Sequence, residues 1–401
     1  MAVTGGPLAG VLVVDLSRAL AGPHAAMMLG DLGARVIKVE SPAGGDDTRS
    51  WGPPFVGPVG DEQSTYFLSC NRNKESLPLD LKSETGKDLL RALLRKADVV
   101  VENFRAGVMA RLGFSMSELH EINPALVILS ITGFGHDGPE ASRAGYDQII
   151  QGEAGLMSLT GSGPDDVQRV GVPIADLLSG MYGAFGTVAA LYERASTGRG
   201  QVVRTSLLAS VVGVHAFQGT RATVAGEVPH AQGNHHPSIA PYGLFHCADG
   251  FVQISVGNES LWARLCARFG IDPATPGLGS NAERVRNRQQ TIDLVEVAFS
   301  GFDAVTLLAE LDAAGVPAGK VRTLDEVYEW PQLLSQGLKI SVDHSTLGPI
   351  DLPGPPVRFF DASADGEVET TRITHTAPPT LGQHSESIRA WLAGTIDGTK
   401  E

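Results

Sequence analysis

Asp176 stands at the start of a long predicted helix, in a turn-and-helix segment that runs from Gly171 to Glu193. A carboxylate there can cap the helix by accepting from free backbone N–H groups, and it can react with a ligand that reaches it. The helix face behind it carries small residues three or four apart, namely Gly180, Gly183, Ala184, Gly186 and Thr187. Such a face lets another backbone or a ligand approach closely, which must offset about 1 kcal/mol for each helical glycine. On these residues alone, a capped core helix and a ligand site both stay open.

The sequence lacks the motifs of several other common kinds of functional site. Cys70, Cys247 and Cys266 are scattered with no CxxC pair, so we expect neither a disulfide framework nor a metal site. The turn after the first predicted strand, residues 16–23, contains no GxGxxG, which argues against a dinucleotide site.

Composition indicates a soluble, folded protein of more than one core. The chain has 401 residues, a hydrophobic content of 42% and a formal charge of −14, so nucleic acid or an anionic membrane is not expected as its main partner. Asp176, Arg204 and His215 interrupt its apolar runs before the ~20 residues of a membrane span. We expect a cytoplasmic protein.

The first half of the chain alternates strands and helices. Strands are predicted at residues 10–15, 34–40, 98–102 and 126–130, and helices at 22–32 and 84–96. This βαβ alternation predicts an α/β fold with a Rossmann-like parallel sheet.

A change in composition divides the chain into domains. Residues 222–241 are rich in Gly, His, Pro and Asn, as in a linker or an active-site loop. Residues 242–257 alternate like a hairpin, and helices follow, which predicts a smaller α+β domain over 242–323. We assign residues 1–221 to the N-terminal part of a large domain, and 324–401 to a linker and a C-terminal return to it.

Several motifs occur in collinear order along most of the chain: Asp15–Pro23, Asp31–Glu40, Glu102–Phe104, Gly133–Gly135 before Gly138–Pro139, the Asp176 helix, Gly198–Gln201 and Ala377–His384. Together they resemble the class III coenzyme A transferase (CaiB/BaiF) family, which includes carnitine CoA-transferase and formyl-CoA:oxalate CoA-transferase. The order and spacing of the motifs carry this resemblance, since no single motif is decisive.

The resemblance implies an interlocked, ring-like homodimer and a reaction carried by Asp176. In the family, the aspartate at this position attacks the thioester of an acyl-CoA and forms an aspartyl anhydride and then an aspartyl-CoA thioester. A carboxylate suits this chemistry because it can pass through both intermediates and be regenerated. We expect glycine-rich backbone or the start of the Asp176 helix to supply N–H donors for the oxyanions. Acyl-CoA would be a substrate, with no permanently bound cofactor.

Coenzyme A carries phosphates and needs local basic and backbone contacts in this acidic chain. By position in the family motifs, the resemblance assigns CoA contacts to Arg18, Ala19, Leu20, Leu79, Lys82, Asn103, Phe104, Arg111, Gly145, Tyr146 and Asp147. The basic side chains among them are equally compatible with solvated surface positions, and Phe104 is compatible with a core position.

The loop from Gly233 to Tyr242 is similar to that of family members that use dicarboxylic acids such as succinate or glutarate. His235, His236 and Ser238 are candidates to hydrogen-bond the distal carboxylate of an acceptor acid. Histidines in a Pro-rich loop are also common surface groups, so the identity of the acceptor stays open.

Three alternatives to CoA transfer between an acyl-CoA and a carboxylic acid are weaker. The family includes α-methylacyl-CoA racemases, which use a histidine upstream of the aspartate, but Tyr146 holds that place here. A tyrosine phenol stays protonated at neutral pH and accepts protons poorly, which disfavours epimerisation of 2-methylacyl-CoA. A non-catalytic acyl-CoA-binding protein has no use for the Asp176 carboxylate beside a thioester, and a dehydrogenase would need the missing dinucleotide motif.

Overall fold

A computed structural model describes residues 5–363 and 366–394 of the chain. The chain divides by its internal contacts into two compact units. The first unit contains residues 1–154, 170–220 and 331–401, and the second contains residues 155–169 and 221–330.

The strands of the described residues are β1 Leu12–Asp15, β2 Arg35–Glu40, β3 Phe55–Val56, β4 Gln63–Ser64, β5 Lys74–Pro78, β6 Val99–Glu102, β7 Val127–Thr132, β8 Gly161–Gly163, β9 Asp166–Val167, β10 Val202–Ser206, β11 Tyr242–His246, β12 Phe251–Ser255, β13 Ala318–Lys320, β14 Lys339–His344, β15 Gly348–Pro353, β16 Phe360–Ser363 and β17 Gly366–Glu369. The α-helices are α1 Ala21–Asp31, α2 Thr65–Ser69, α3 Glu84–Leu94, α4 Val108–Leu112, α5 Met116–Ile122, α6 Asp147–Glu153, α7 Ile174–Thr197, α8 Leu207–Gly213, α9 Ala216–Ala225, α10 Glu259–Phe269, α11 Asn281–Arg286, α12 Arg288–Phe299, α13 Ala304–Ala313, α14 Leu324–Tyr328, α15 Pro331–Ser335 and α16 Ser385–Gly394. Short 3₁₀ helices form at Asp47–Ser50 and Met157–Leu159.

Six parallel strands form the main sheet of the first unit, in the order β10-β7-β6-β1-β2-β5. Read from the β5 edge, this is the 3-2-1-4-5-6 order of doubly wound nucleotide-binding folds. β1, β6 and β7 are buried along nearly their whole length, as expected for parallel strands covered by helices. The predicted α/β fold with a parallel sheet is confirmed. Strand β5 was not predicted, because its residues, Lys-Glu-Ser-Leu-Pro, do not form an apolar run.

Helix α7 packs closely on α1 and the sheet through its glycines. A Cβ atom at Gly180 would lie 2.8 Å from the carbonyl oxygen of Ala21, and one at Gly183 would lie 3.0 Å from Leu129. Close packing therefore offsets the helical cost of these glycines. Among the described helices, α7 alone is long and apolar enough to cross a membrane, which corrects the expectation that every apolar run is too short. Its contacts with α1, β7 and α8 are those of a core helix.

The C-terminal helix α16 packs on the edge of the main sheet, in agreement with the predicted C-terminal return to the large domain. Ile388 and Leu392 are buried in one apolar cluster with Leu77 of β5. The guanidinium of Arg35 lies 4.3 Å from the ring centroid of Trp391. These contacts attach α16 to the main sheet.

The domain boundaries need two corrections. Residues 155–169, predicted within the large domain, belong to the second unit because they pair with the segment 222–241: the N–H of Ala231 donates to the carbonyl oxygen of Ser158 at 2.8 Å. Residues 324–330, predicted as part of the return, also belong to the second unit. The first pairing joins two loops that are distant in sequence, so no local pattern reveals it.

The second unit has its own apolar core. Strands β11, β12 and β13 form an antiparallel sheet, which confirms the hairpin predicted for residues 242–257. Helices α10, α12 and α13 contribute Trp262, Phe299 and Leu307 to a cluster with Phe245 of β11.

A cluster of buried charges joins β1, β2 and β5. Lys38 Nζ lies 2.8 Å from Asp46 Oδ2 and 3.8 Å from Asp15 Oδ2, and Lys74 Nζ lies 2.9 Å from the same Asp15 oxygen. Burial by itself would raise the pKa of Asp15, but the two ammonium groups outweigh it and hold the pKa below its usual value. The cluster is thus compensated in charge although it is buried.

The same charges fix the loop that follows β1. Lys38 Nζ donates to the carbonyl oxygen of Ser17 at 2.9 Å, and Asp15 Oδ1 accepts from the Ser17 N–H at 3.0 Å. Asp46 Oδ1 accepts from the N–H of Ala19 at 3.2 Å. Buried side chains therefore set the conformation of a loop that has no regular hydrogen bonding of its own.

Lys38→Met tests the importance of this cluster. Because the substitution leaves Asp15 and Asp46 buried with less positive charge, we expect the free energy of unfolding in urea at pH 7 to fall by about 3–5 kcal/mol. Lys87→Met, which breaks a surface ion pair with Glu84, is the control and should cost less than about 1 kcal/mol. Similar small losses in both variants would contradict the interpretation.

Candidate active site

A cavity of about 440 Å³ opens at the carboxyl ends of β1, β6 and β7 in the first unit. It is lined by Arg18, Ala19, Ala21, Asp47, Trp51, Tyr66, Asn103, Phe104, Arg105, Ala106, Ile131, Thr132, Gly133, Ala141, Ser142, Arg143, Ala144, Gly145, Tyr146, Asp147, Gln148, Asp176 and Leu207. The strand order reverses between β1 and β6, so the cavity occupies the crevice in which doubly wound sheets bind ligands.

Two loops of the cavity wall are hydrogen-bonded to each other. The N–H of Arg18 donates to Asn103 Oδ1 at 2.8 Å, and Asn103 Nδ2 donates back to the carbonyl oxygen of Arg18 at 2.7 Å. The Arg18 guanidinium lies 5.6 Å from the ring centroid of Phe104. Ala19 has a φ of 62°, a strained conformation for a residue other than glycine, and the bond to Asp46 helps to hold it.

Asp176 lies in the first turn of α7, with its side chain in the cavity wall. The expectation that it caps the helix is wrong, because Pro173 occupies the N-cap position and offers no side-chain acceptor. Asp147 supplies the cap instead: its Oδ1 accepts from the N–H of Ala175 at 2.8 Å and from that of Asp176 at 3.3 Å. The carboxylate of Asp176 is thereby left available to the cavity.

The first N–H groups of α7 all have acceptors within the chain. Those of residues 174–177 donate to the carbonyl oxygen of Val172, to Asp147 and to the carbonyl oxygen of Pro173. The expectation that the start of this helix supplies donors for reaction oxyanions is therefore wrong in this structure. Glycine-rich backbone, such as that of Gly133 in the cavity wall, is the other source that the sequence predicts.

Gln151 holds Asp147 in place through the carboxylate oxygen that does not contact α7. Its buried side chain donates through Nε2 to Asp147 Oδ2 at 2.6 Å and accepts through Oε1 from the N–H of Val170 at 2.9 Å. Each carboxylate oxygen of Asp147 thus already has a protein donor. Asp147 lines the cavity, as predicted for a CoA contact, but its hydrogen bonds are those of a residue that orients α7.

The electrostatic environment of Asp176 is unusual. Burial raises the pKa of Asp176 to about 7, and the negative charge of Asp147 adds to the effect. Burial and the charge of Asp176 in turn raise the pKa of the Tyr66 phenol in the same cavity. A carboxylate that titrates near neutral pH in a cleft is typical of a functional site.

The cavity brings together most of the predicted site residues. Those that line it are Arg18, Ala19, Asn103, Phe104, Gly145, Tyr146, Asp147 and Asp176. The other predicted CoA contacts do not line it: Leu20 and Leu79 are buried in apolar clusters, and Lys82 and Arg111 are exposed elsewhere. Leu79 and Lys82 follow β5, which the sheet order places two strands away from β1 and its crevice.

The cavity wall also contains aromatic and basic residues that were not predicted from the sequence. The rings of Trp51 and Tyr66 meet edge-to-face with centroids 5.0 Å apart, and Arg105 and Arg143 join Arg18 in the lining. These residues lie in segments without clear helix or strand periodicity. The sequence feature that could have pointed to the aromatic pair is the occurrence of Trp51 and Tyr66 in and just after a Gly- and Pro-rich stretch. Arg143 is already paired with Glu140 and Glu153, so Arg18 and Arg105 are the lining cations best suited to phosphates.

The candidate acceptor residues lie in the second unit. The ring of His235 meets that of Phe245 edge-to-face at 5.4 Å, and the ring of His236 lies 5.1 Å from that of Tyr242. Burial and the positive charge of Arg288 lower the pKa of both histidines, so both are neutral at pH 7.

Side chains of α11 and α12 hold the loop that carries these histidines. Arg288 donates to the carbonyl oxygens of His236 at 2.6 Å and of Pro237 at 2.8 Å, and Asn281 Nδ2 donates to that of Ser238 at 3.0 Å. The N–H of Ser238 donates to His236 Nδ1 at 3.1 Å. Three successive carbonyl groups are thus fixed by side-chain donors.

Comparison with known proteins agrees with this fold. The chain matches CoA-transferase family III over residues 8–385. It is 37% identical over 398 residues to the succinate–glutarate CoA-transferase of Agrobacterium fabrum, covering 98% of this chain and 97% of that protein. It is 37% identical over 388 residues to the succinyl-CoA:glutarate CoA-transferase of Homo sapiens, with 95% and 85% covered.

A solved structure also places the chain among proteins of this family. The crystal structure of a CaiB/BaiF family protein from Brucella suis matches with a TM-score of 0.84 and 40% identity, covering 97% of this chain and all of that one. The chain therefore belongs to CoA-transferase family III, as its motifs predict. It is an enzyme, a CoA-transferase.

Asp147→Asn should lower the pKa of Asp176 from about 7, because the amide removes the neighbouring negative charge while its oxygen can still accept from α7. Burial is unchanged, so the pKa should stay above the ordinary 3.8. Titration of the carboxyl resonances by ¹³C NMR measures this shift, and Asp176→Asn identifies the resonance. Asp47→Asn removes another carboxylate from the same wall and should leave Asp176 unchanged; equal shifts in the two variants would refute a specific role for Asp147.

Proposed function

We propose that this CoA-transferase moves coenzyme A from an acyl-CoA to a free dicarboxylic acid through covalent intermediates on Asp176. The observation that carries the proposal is the Asp176 side chain in the wall of a cavity that Arg18, Asn103 and Phe104 also line. A thioester bound along that wall would place its carbonyl carbon beside the carboxylate.

The first half of the reaction loads Asp176. A carboxylate oxygen of Asp176 attacks the thioester carbonyl, the carbon–sulfur bond breaks, and an acyl-aspartyl anhydride and the CoA thiolate form. The thiolate then attacks the aspartyl carbonyl, which releases the donor acid as its carboxylate and leaves an aspartyl-CoA thioester. Each step exchanges one acyl bond for another and needs no oxidant or reductant.

The second half reverses these steps with the acceptor acid. The acceptor carboxylate attacks the aspartyl-CoA thioester and expels the thiolate, which gives an anhydride between Asp176 and the acceptor. The thiolate attacks the acceptor carbonyl, and Asp176 leaves as a free carboxylate. Tyr66 keeps its proton in this cavity, so its hydroxyl is a donor available to the developing oxyanions.

The names of the relatives and the chemistry of the Gly233–Tyr242 loop support a dicarboxylic acceptor. Two similar proteins are CoA-transferases named for succinate or succinyl-CoA and for glutarate. Neutral His235 and His236 offer ring N–H donors to a distal carboxylate, and Ser238 offers a hydroxyl. We propose these three residues as contacts to that carboxylate.

Acylation of Asp176 can be followed directly. The enzyme incubated with succinyl-CoA alone should gain a hydroxylamine-sensitive modification at Asp176, detected by peptide mass spectrometry, and with glutarate present it should form glutaryl-CoA. Only the ionised carboxylate attacks, so the single-turnover rate should rise as the pH increases through about 7. Asp176→Ala should abolish both modification and exchange.

Asp47→Ala is the matched control for that experiment, since it removes a carboxylate from the same cavity and should keep the modification at Asp176. An enzyme that exchanges CoA while Asp176 stays unmodified, or an Asp176→Ala variant that still turns over, would exclude covalent catalysis by this residue.

We further propose that two copies form the interlocked homodimer that the family resemblance implies. Helix α7 exposes a row of large apolar side chains, namely Met181, Tyr182, Phe185, Val188 and Tyr192. An apolar cavity of about 220 Å³ lies beside them, between α7 and residues 355–359. Contiguous exposed apolar surface of this kind marks a protein interface.

Light scattering tests the dimer. The wild-type protein should have about twice the chain mass of 42.1 kDa, and Phe185→Asp should shift it towards the monomer because a charge would be buried in the interface. Val305→Asp changes an equally exposed apolar residue on α13 and should leave the mass unchanged. A monomeric wild-type protein would rule the homodimer out.

A further inference from the structure

Three polar side chains form a row behind the cavity wall: Glu102 at the end of β6, Ser130 in β7 and His136 in the loop after β7. Ser130 Oγ donates to Glu102 Oε1, and His136 Nε2 lies 2.8 Å from the same Ser130 oxygen. Glu102 and Ser130 are buried, with 3% and 1% of their surface exposed. None of the three takes part in the transfer steps, so their presence needs another explanation.

The single proton of the Ser130 hydroxyl sets the direction of both bonds. Ser130 gives that proton to the Glu102 carboxylate, so its oxygen accepts from His136, which must carry a proton on Nε2. Burial and the positive charge of Arg204 lower the pKa of His136 and keep its ring neutral. Donation therefore runs from imidazole to hydroxyl to carboxylate.

The second carboxylate oxygen of Glu102 reaches the cavity wall. Glu102 Oε2 accepts from the N–H of Phe104 at 2.9 Å. The residue between them, Asn103, exchanges its two hydrogen bonds with the backbone of Arg18, and the Phe104 ring faces the Arg18 guanidinium. Glu102 thus fixes the backbone at Phe104, next to Asn103, which joins the loop after β6 to the loop after β1 in the cavity wall.

Glu102 is buried differently from Asp15. Asp15 faces the ammonium groups of Lys38 and Lys74, whereas the hydrogen bonds from Ser130 and Phe104 oppose, without overcoming, the burial that raises the pKa of Glu102. Burying a carboxylate in this way costs stability that an apolar side chain would not. We therefore explain the buried Glu102 by the backbone that it positions, at Phe104.

We propose that Glu102, supported by Ser130 and His136, is a positioning residue that holds residues 103–104 in the conformation that binds the CoA portion of the donor. The inference rests on the proposed function, since it takes this cavity as the CoA site. Glu102 lies behind the wall and does not line the cavity. It therefore acts on affinity for the acyl-CoA donor and not on the chemical steps at Asp176.

Steady-state kinetics with succinyl-CoA and glutarate test the proposal. In Glu102→Ala, the KM for succinyl-CoA should rise about tenfold, the effect of losing a hydrogen bond to a charged group, while kcat and the KM for glutarate change by less than about twofold. Glu102→Gln should behave like the wild type, because its amide oxygen can accept from Phe104 while its amide nitrogen donates to Ser130, whose own proton is then donated to Nε2 of His136 in the other neutral tautomer.

Ser130→Ala tests the middle of the same row and serves if Glu102→Ala does not fold. It removes the donor to Glu102 and should also raise the KM for succinyl-CoA selectively. Ser76→Ala is the matched control, since it removes an equally buried hydroxyl that donates to Glu40 at 2.6 Å, away from the cavity lining. Its KM for succinyl-CoA should stay at the wild-type value.

Two kinds of failure are distinguishable. If the wild type exchanges CoA but Glu102→Ala and Ser130→Ala keep the wild-type KM for succinyl-CoA, or lose kcat alone, the positioning role is overturned. If Glu102→Gln is as impaired as Glu102→Ala, the positioning role is overturned as well. If the wild type exchanges CoA with no donor or acceptor in a panel of acyl-CoAs and short dicarboxylates, the proposed function fails and this inference fails with it.

Discussion

The site depends on the two hydrogen bonds that backbone N–H groups in the first turn of α7 donate to Asp147. A helix beginning at a proline needs acceptors from elsewhere, and this one receives them from the first residue of α6. The arrangement joins α6 to α7 and places a second negative charge near Asp176. In the proposed mechanism both covalent intermediates neutralise Asp176 and relieve that repulsion, so the cap that orients the nucleophile also favours its acylation.

The walls of the cavity are loops, and buried polar groups hold them from beneath. Lys38, Asp15 and Asp46 fix the loop after β1, and Glu102 fixes the loop after β6. Loops lack the repeating backbone hydrogen bonds of helices and strands, so a defined conformation requires specific side-chain partners. Burying those partners costs free energy, which is offset for the Lys38 cluster by opposite charge and for Glu102 only by hydrogen bonds.

The small and the large apolar residues of helix α7 have different structural roles. Its small residues admit the start of α1 and place the first βα loop close to Asp176, while its large apolar side chains point away from the core. Because small and large apolar residues occupy both faces of this 24-residue helix, α7 has the length and hydropathy of a membrane span.

The sequence by itself determined the elements whose signals are local. Runs of Val, Ile and Leu predicted β1, β6 and β7, and the turn followed by small residues three or four apart predicted α7. The collinear motifs predicted the family and, with it, a site that contains Arg18, Asn103 and Asp176. The position of Asp176 within the helix, the acceptors of the helix N–H groups, the polar strand β5, the aromatic wall of Trp51 and Tyr66, and the membership of residues 155–169 were decided only by the tertiary structure. Each of these depends on residues that are distant along the chain, as Asp147 is from Ala175, and a contact of that kind leaves no periodicity in the sequence from which it can be read.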